Sequence, residues 1–515
     1  MTIKEVNMTN QPAISEKKTP IYTASDTVFA WLCFLFGYLF CRTVPVFDNR
    51  LGGFLFIFII FLVSFIILLI KKAKLPPLAI AVGISAVAVS ASLIIAESNF
   101  LAFFSYSYAL ASYCYFVYAA FGNAMENGLS DFIFIDYFKS VFIMPFYSPA
   151  KIFTAIATKK SNSFLKTLLK ILCGIAVAAI PTLIVFLLLS FDDGFTNILS
   201  KIFSFDILDI FSHIISILYA VPLGMYIFGL YASSSERRME NTITAEGCKK
   251  GFAAFRIMPK TTALTSALPI IFLYVVFFIS QWKYYISGFT GVLPEDLSYA
   301  EYARDGFFQL CAVSVINLLI IIAAVLLTKR EKKSCAVLRI LTVVFCLCTL
   351  ILISTAVAKL IMYINCYGLT PKRVYAMWMM AVIAIVFILI AIGQFAYRFK
   401  SVFTSMAVVV VMFAALSLCN VNGIIAEYNV DRYLDGTLDI VDPEVMEDLG
   451  DAAIPATVRL AREMSERGET VNEEIAELLE EKAEELEYGK EGIFSFTIPS
   501  KRAKDALAEY GITEK

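Results

Sequence analysis

The chain has 515 residues, 59% of them apolar and 17% charged, with a mean hydropathy of +0.75. Soluble domains carry about 25% charged residues, so this composition excludes a soluble enzyme and indicates a membrane protein. The net charge of −1 hides a split, because residues 420–515 hold 24 of the 44 acids and 10 of the 43 bases. An acidic tail therefore follows a basic body, and nucleic acid is not an expected partner. The only histidine, His213, excludes His-rich metal sites, and eleven cysteines without a CxxC pair give neither a zinc ribbon nor a disulfide framework.

Apolar runs of membrane-spanning length, uncharged except for Arg339 and Lys359 near the ends of the ninth, recur along the chain. They are Thr27–Cys41, Leu51–Ile70, Leu78–Ile95, Leu101–Phe121, Ile171–Ser190, Ile210–Tyr231, Thr262–Ser280, Phe307–Thr328, Leu338–Ile361, Val374–Ala396 and Val402–Leu418. The fold class expected is an all-α integral membrane protein of about eleven transmembrane helices with a small, acidic, mostly helical C-terminal domain. Lys and Arg favour alternate inter-span segments by more than three to one. That bias places residues 1–26 in the cytoplasm, the bundle at 27–419 and the acidic domain at 420–515 outside.

Taken in order, the first span is the shortest, and as read it contains no Asp or Glu, nor do the other ten. This lowers the expectation of ion coupling through an intramembrane carboxylate. The fourth span carries Tyr106, Tyr108, Tyr113 and Tyr115 among serines; with Asn317 of the eighth they are a candidate polar path, or else interhelical bonds and an aromatic belt. Residues 131–157 are apolar but hold Asp136 and Lys139, so they are expected at the interface as an amphipathic segment with Phe132, Phe134, Phe138, Phe142 and Phe146 on one side, or packed beneath the bundle. Asp206, Asp209 and His213 share a helical face at the start of the sixth span. They are the one conceivable metal group, an incomplete one, and no cofactor is expected.

Further on, Glu301, Tyr302 and Arg304 lie between spans seven and eight. Arg373 opens span ten, and Glu427, Tyr428, Asn429, Asp431 and Arg432 follow span eleven. These form a candidate outer-face cluster in which Arg304 and Arg373 meet Glu301, Glu427 or Asp431, either closing the loops under the tail or holding an anionic headgroup. In the tail, Asp442-Pro443-Glu444 reads as a helix start, and Gly450 with Pro455 as a break. Thr470 with Glu473 reads as a capping box ahead of a stripe of Val471, Ile475, Leu478, Leu479 and Leu486. Ile493–Ile498 reads as a short strand, and Ser500 as the cap of a last helix through Tyr510.

Three stretches carry a resemblance. They are Gln281 through Ser298-Tyr-Ala-Glu-Tyr-Ala-Arg-Asp-Gly-Phe-Phe-Gln-Leu310 to Ile316-Asn-Leu318, then Tyr367-Gly-Leu-Thr-Pro-Lys-Arg373, then Ile425-Ala-Glu-Tyr-Asn-Val-Asp-Arg-Tyr433. Together they resemble the bacterial multi-pass membrane proteins grouped as domain of unknown function 4173 and the related 4153 group. The resemblance implies a bacterial membrane location and supplies no activity or catalytic residue. No nucleophile, base and oxyanion arrangement can be assembled from these spacings. The function expected is an envelope accessory, sensor or scaffold that meets a partner protein or cation through its outer face and acidic tail, with a transporter or lipid mover as the alternative.

Overall fold

The computed structural model describes residues 22–44, 49–126, 128–157, 207–237, 243–280, 307–329, 332–396, 399–468, 470, 472–488 and 493–511, with single helical positions between 174 and 189. Among these residues the chain is all-helical, apart from one isolated bridge between Met258 and Thr328. The helices of the bundle are α1 (Ala24–Thr43), α2 (Arg50–Ile70), α3 (Pro77–Ser90, prolonged by Ser92–Ile95), α4 (Asn99–Ala120), α5 (Ile207–Ser235), α6 (Ala245–Ala254), α7 (Lys260–Ser280), α8 (Phe307–Leu327), α9 (Lys332–Tyr367), α10 (Pro371–Phe395) and α11 (Ser401–Leu418). Nine of the described helices are long and apolar enough to cross a membrane, and α8 adds the shorter apolar stretch Ala312–Leu327. The expected fifth span, Ile171–Ser190, lies outside the described residues apart from those single positions.

Two boundaries differ from expectation. Helix α1 starts at Ala24, because the Thr23 backbone N–H and hydroxyl both donate to Asp26 Oδ2, at 2.7 Å each. Asp26 therefore sits buried in the first turn of a spanning helix, which corrects the reading that no span holds a carboxylate. Helix α9 runs 36 residues, roughly 54 Å at 1.5 Å per residue. That exceeds a hydrocarbon core of about 30 Å, so the helix is longer than a straight crossing needs.

The spans pack in two groups. Helices α1 to α5 share one core built on Phe29, Phe56, Ile57, Tyr113, Phe116 and Phe228. Helices α7 to α10 share others, around Phe345, Cys346 and Phe387 and around Ile353, Ala356 and Met380. Helix α11 bridges them through Phe413, whose ring meets Phe104 of α4 and Trp378 of α10.

After α4 the chain turns back into the first group. Residues Ile133–Phe138 are α-helical, Lys139–Ile143 form a π turn and Met144–Tyr147 complete the segment. Tyr137 stacks on Tyr115 with centroids 4.7 Å apart, and Tyr226 donates to the Val141 carbonyl at 2.8 Å. Pro145 approaches α5 so closely that a Cβ on Gly229 would lie 2.2 Å from its carbonyl oxygen. Tyr226 is nine residues from the end of α5, so the segment rises about 13 Å between the helices. The segment is thus packed as a wedge against α4 and α5. Its sidedness follows the expected pattern: Phe134, Phe138, Phe142 and Phe146 are exposed while Asp136, Lys139 and Ser140 are buried. The polar face rises into the bundle because partners wait there.

The tail forms α12 (Val421–Leu434), α13 (Pro443–Asp448), α14 (Ile454–Glu466), α15 (Glu473–Tyr488) and α16 (Ile498–Tyr510) around Val430, Met446, Leu460, Ile475, Leu479 and Leu507. Asp442 caps α13 by accepting from the Glu444 N–H at 3.1 Å. Gly450 breaks the chain there with a φ of +67°, whereas Pro455 opens α14 rather than ending a helix. Helix α15 is capped by Asn472, one residue before its start, not by Thr470. The expected strand is a 3-10 turn at Ile493–Ser495, and α16 is capped by Thr497, not Ser500: the Ser500 N–H donates to Thr497 Oγ1 at 3.1 Å. Pro499 fixes that register, since proline suits the first helical turn.

Candidate functional site

One end of the bundle, here the tail side, gathers the start of α2 and the turns after α3 and α9 under the tail. The end of α9 leaves carbonyls without intrahelical partners, and two arginines take them. Arg373 donates to the carbonyls of Tyr367, at 2.7 Å, and Gly368, with its guanidinium 4.2 Å from the Tyr363 ring centroid. Arg432 donates to the carbonyls of Ile364 at 3.3 Å and Asn365 at 3.0 Å. Two cations thus meet the negative end of the helix dipole. Asn429 completes the clamp, accepting from the Leu369 N–H at 2.7 Å and donating to its carbonyl at 2.9 Å. The turn itself needs glycine: Gly368 has a φ of +71°, and a Cβ there would lie 2.6 Å from Asn429 Oδ1.

Glu427 and Asp431 are not partners of Arg373. Both accept from Nη2 of Arg459 on α14, at 2.7 and 2.6 Å. Sequence reasoning missed Arg459, which lies 32 residues from Glu427 and 28 from Asp431 in an amphipathic helix. With Tyr428, Asn420, Ile424, Pro455 and Arg502 these carboxylates line a cleft of about 460 Å³ between α12 and the rest of the tail. Glu301, Tyr302 and Arg304 lie outside the described residues.

A second contact pins the tail to the first helix group. Glu97, in the turn between α3 and α4, accepts from the Thr497 hydroxyl at 2.9 Å and from the Ala452 N–H. Arg50 lies beneath, donating to the Glu97 carbonyl at 3.4 Å and to Asn99 Oδ1 at 2.6 Å. Asp451 faces the same point, with Lys482 Nζ 3.6 Å from its carboxylate. Burial, reinforced by the Asp451 charge, pushes Glu97 up to about 7 against the opposing bonds and the Arg50 field. Glu97 was also missed, although a lone acid in a three-residue turn between two apolar helices is a visible signal.

The candidate path residues are separated. Tyr113 bonds Ser64 at 2.9 Å, Tyr108 bonds Ser85 at 2.7 Å, and Tyr115 stacks on the wedge. The Tyr106 hydroxyl is buried above Gly53. Asn317 belongs to the second group, where it accepts from Tyr274 at 2.5 Å and donates to Thr349 at 2.8 Å. Each hydroxyl or amide with a described bond is spent between helices. His213 bonds the Tyr38 hydroxyl through Nδ1 at 2.7 Å and stacks over its ring; Asp206 lies outside the described residues and the Asp209 side chain is not described. Among the described residues no group of three or more His, Cys, Asp and Glu is placed to hold a metal ion.

The opposite end carries buried charge of its own. Asp26 also accepts from Lys71 and Tyr231, each at 2.6 Å. Asp136 accepts from the Tyr118 hydroxyl and the Met125 N–H, both at 3.1 Å, while Lys139 lies over the Tyr118 ring and donates to the Ile243 carbonyl at 3.3 Å. Lys151 pairs with Glu236. These contacts fasten the wedge and the ends of α1, α4 and α5 to one another.

A model of the family described as Domain of unknown function (DUF4153) matches residues 79–460, about three quarters of the chain. The chain belongs to the DUF4153 family. The match runs from α3 into α14, well upstream of the stretches that carried the resemblance in the sequence. It takes in Glu97, Arg373, Asn429, Arg432 and Arg459, and it ends ahead of Lys482 and Thr497. No curated protein and no solved structure matches the chain.

Proposed function

We propose that this DUF4153 protein is an accessory or sensor of the bacterial cell envelope, whose acidic outer domain receives a cationic group from a partner protein. In this reading the bundle has about eleven spans, the N-terminus and the basic loops are cytoplasmic, and the tail is extracytoplasmic. The observation that carries it is the cleft lined by Glu427 and Asp431. Both side chains stay about half exposed, at 51% and 56%, after pairing with Arg459, so two carboxylates share one cation and remain open to another. The clamp and the Glu97 pin hold that cleft fixed on the bundle, as a receptor surface requires. The permeation-path alternative is less well supported, since the Tyr108 and Tyr113 hydroxyls are committed to Ser85 and Ser64 of neighbouring helices.

Titrating tetralysine against the full chain in nanodiscs tests the cleft. Saturable, salt-sensitive binding is expected, weakened about tenfold in the Glu427→Gln/Asp431→Asn variant; equal binding by both proteins sinks the reading. Orientation is checked separately in intact cells. An impermeant thiol label is expected to reach Glu480→Cys, exposed on α15, and not Ser235→Cys, exposed at the end of α5.

A further inference from the structure

The turn before α16 leaves two aromatic rings uncovered: Phe494 is 58% exposed and Phe496 42%. Their position along the spans decides what meets them. A Cβ on Gly52, the third residue of α2, would lie 3.5 Å from Phe494 Cβ. Thr497 bonds Glu97, two residues before the first residue of α4. The turn therefore runs at the level where two spanning helices leave the bilayer, which is the headgroup region, where aromatic rings gain most. The charge of the neighbouring stretch fits the same surroundings. In a tail where acids outnumber bases by 24 to 10, residues 498–504 hold Lys501, Arg502 and Lys504 and no acid. Lys501 is exposed, whereas Arg502 lines the cleft of Glu427 and Asp431.

We propose that Phe494, Phe496 and Lys501 at the opening of α16 form a membrane-docking edge, its rings seated in the leaflet on the tail side and Lys501 against anionic headgroups. The combination of inserted aromatics with adjacent basic residues is what interfacial anchors use. The inference goes beyond the partner cleft and does not depend on which side of the membrane the tail occupies. It gives the tail a third attachment, to lipid, beside those to the two helix groups.

The test uses the full chain on a cysteine-free background, one copy per nanodisc, with a nitroxide at Phe494→Cys and, as a control, at Glu480→Cys. Collision rates with oxygen and with a water-soluble nickel chelate give depth. The 494 label is expected to be oxygen-rich and nickel-poor, the 480 label the reverse. Adding phosphatidylglycerol to phosphatidylcholine discs lowers nickel access at 494 further, and Lys501→Glu removes that response. Nickel access at 494 equal to that at 480 overturns the proposal, as does protection that appears only when two copies share a disc, which would assign the edge to a second chain. Absence of any phosphatidylglycerol effect refutes the headgroup contact. Phe496→Cys repeats the depth measurement if the 494 variant does not fold.

Discussion

The two helix groups are built on different plans. The first is fastened from within: Tyr113, Tyr108 and Ser105 bond across helices inside the span, and Asp26, Asp136 and Lys151 tie the ends of the helices and the wedge on the side away from the tail. The second has Asn317 joining Tyr274 and Thr349 at its centre, and its tail-side turn is held by Arg373 of α10 and by Asn429 and Arg432 of the tail. Lipid offers little hydrophobic driving force between helices, so association rests on packing and polar contacts. The first group carries those contacts in its own helices, whereas the second borrows several from the tail.

Breaking the strongest contact in each group tests that contrast. Asp26→Ala removes the acceptor shared by Lys71, Tyr231 and Thr23 and strands a lysine that is 22% exposed. A loss of about 3 kcal/mol is expected, read by chemical denaturation in mixed micelles, and it should leave exchange protection in α9 and α10 unchanged. Gly368→Ala forces a left-handed turn on a residue with a Cβ and pushes Asn429 aside. About 2 kcal/mol is expected, with lost protection confined to α9, α10 and α12; a loss spread over α1 to α5 would mean that the groups are not independent.

The gentlest probe is pH. Glu97 is raised from its ordinary 4.5 to about 7 in the docked state, so the docked state binds its proton more tightly than the undocked one. Docking is then strongest below 4.5 and weakens as pH rises through 7. Amide exchange in α16 is expected to quicken several-fold between pH 6 and 8 after correction for the intrinsic rate. Glu97→Gln should flatten that profile, and a profile unchanged by the substitution would remove Glu97 from the latch.

Spans were legible in the sequence because length and lack of charge are local properties, and so was the stripe of α15, where Ile475, Leu478, Leu479 and Leu486 are all buried. The start of α1 was half legible, since Thr23 with Asp26 three residues on is a capping pattern. Starting the span at the first uncharged residue hid it. Arg373, Asn429 and Arg432 were singled out from sequence, but their partners were not, because those partners are backbone carbonyls and amides that carry no side-chain signature. The cap of α16 was placed three residues late because Pro499 fixes where the helix begins. The partners of the wedge were not legible: Asp136 and Lys139 meet Tyr118, the Met125 N–H and the Ile243 carbonyl, contacts across the fold that leave no local signature.

The bond between Glu97 and Thr497 joins residues 400 positions apart. At translation rates of about 5–20 residues per second, Glu97 waits roughly 20–80 seconds between its synthesis and the arrival of its partner. For that interval the spans that precede the tail must reside in the membrane with the Glu97 carboxylate lacking its Thr497 partner. Assembly of this protein therefore ends with a contact of very high sequence separation, and a chain stopped before residue 497 would be inserted yet unsealed.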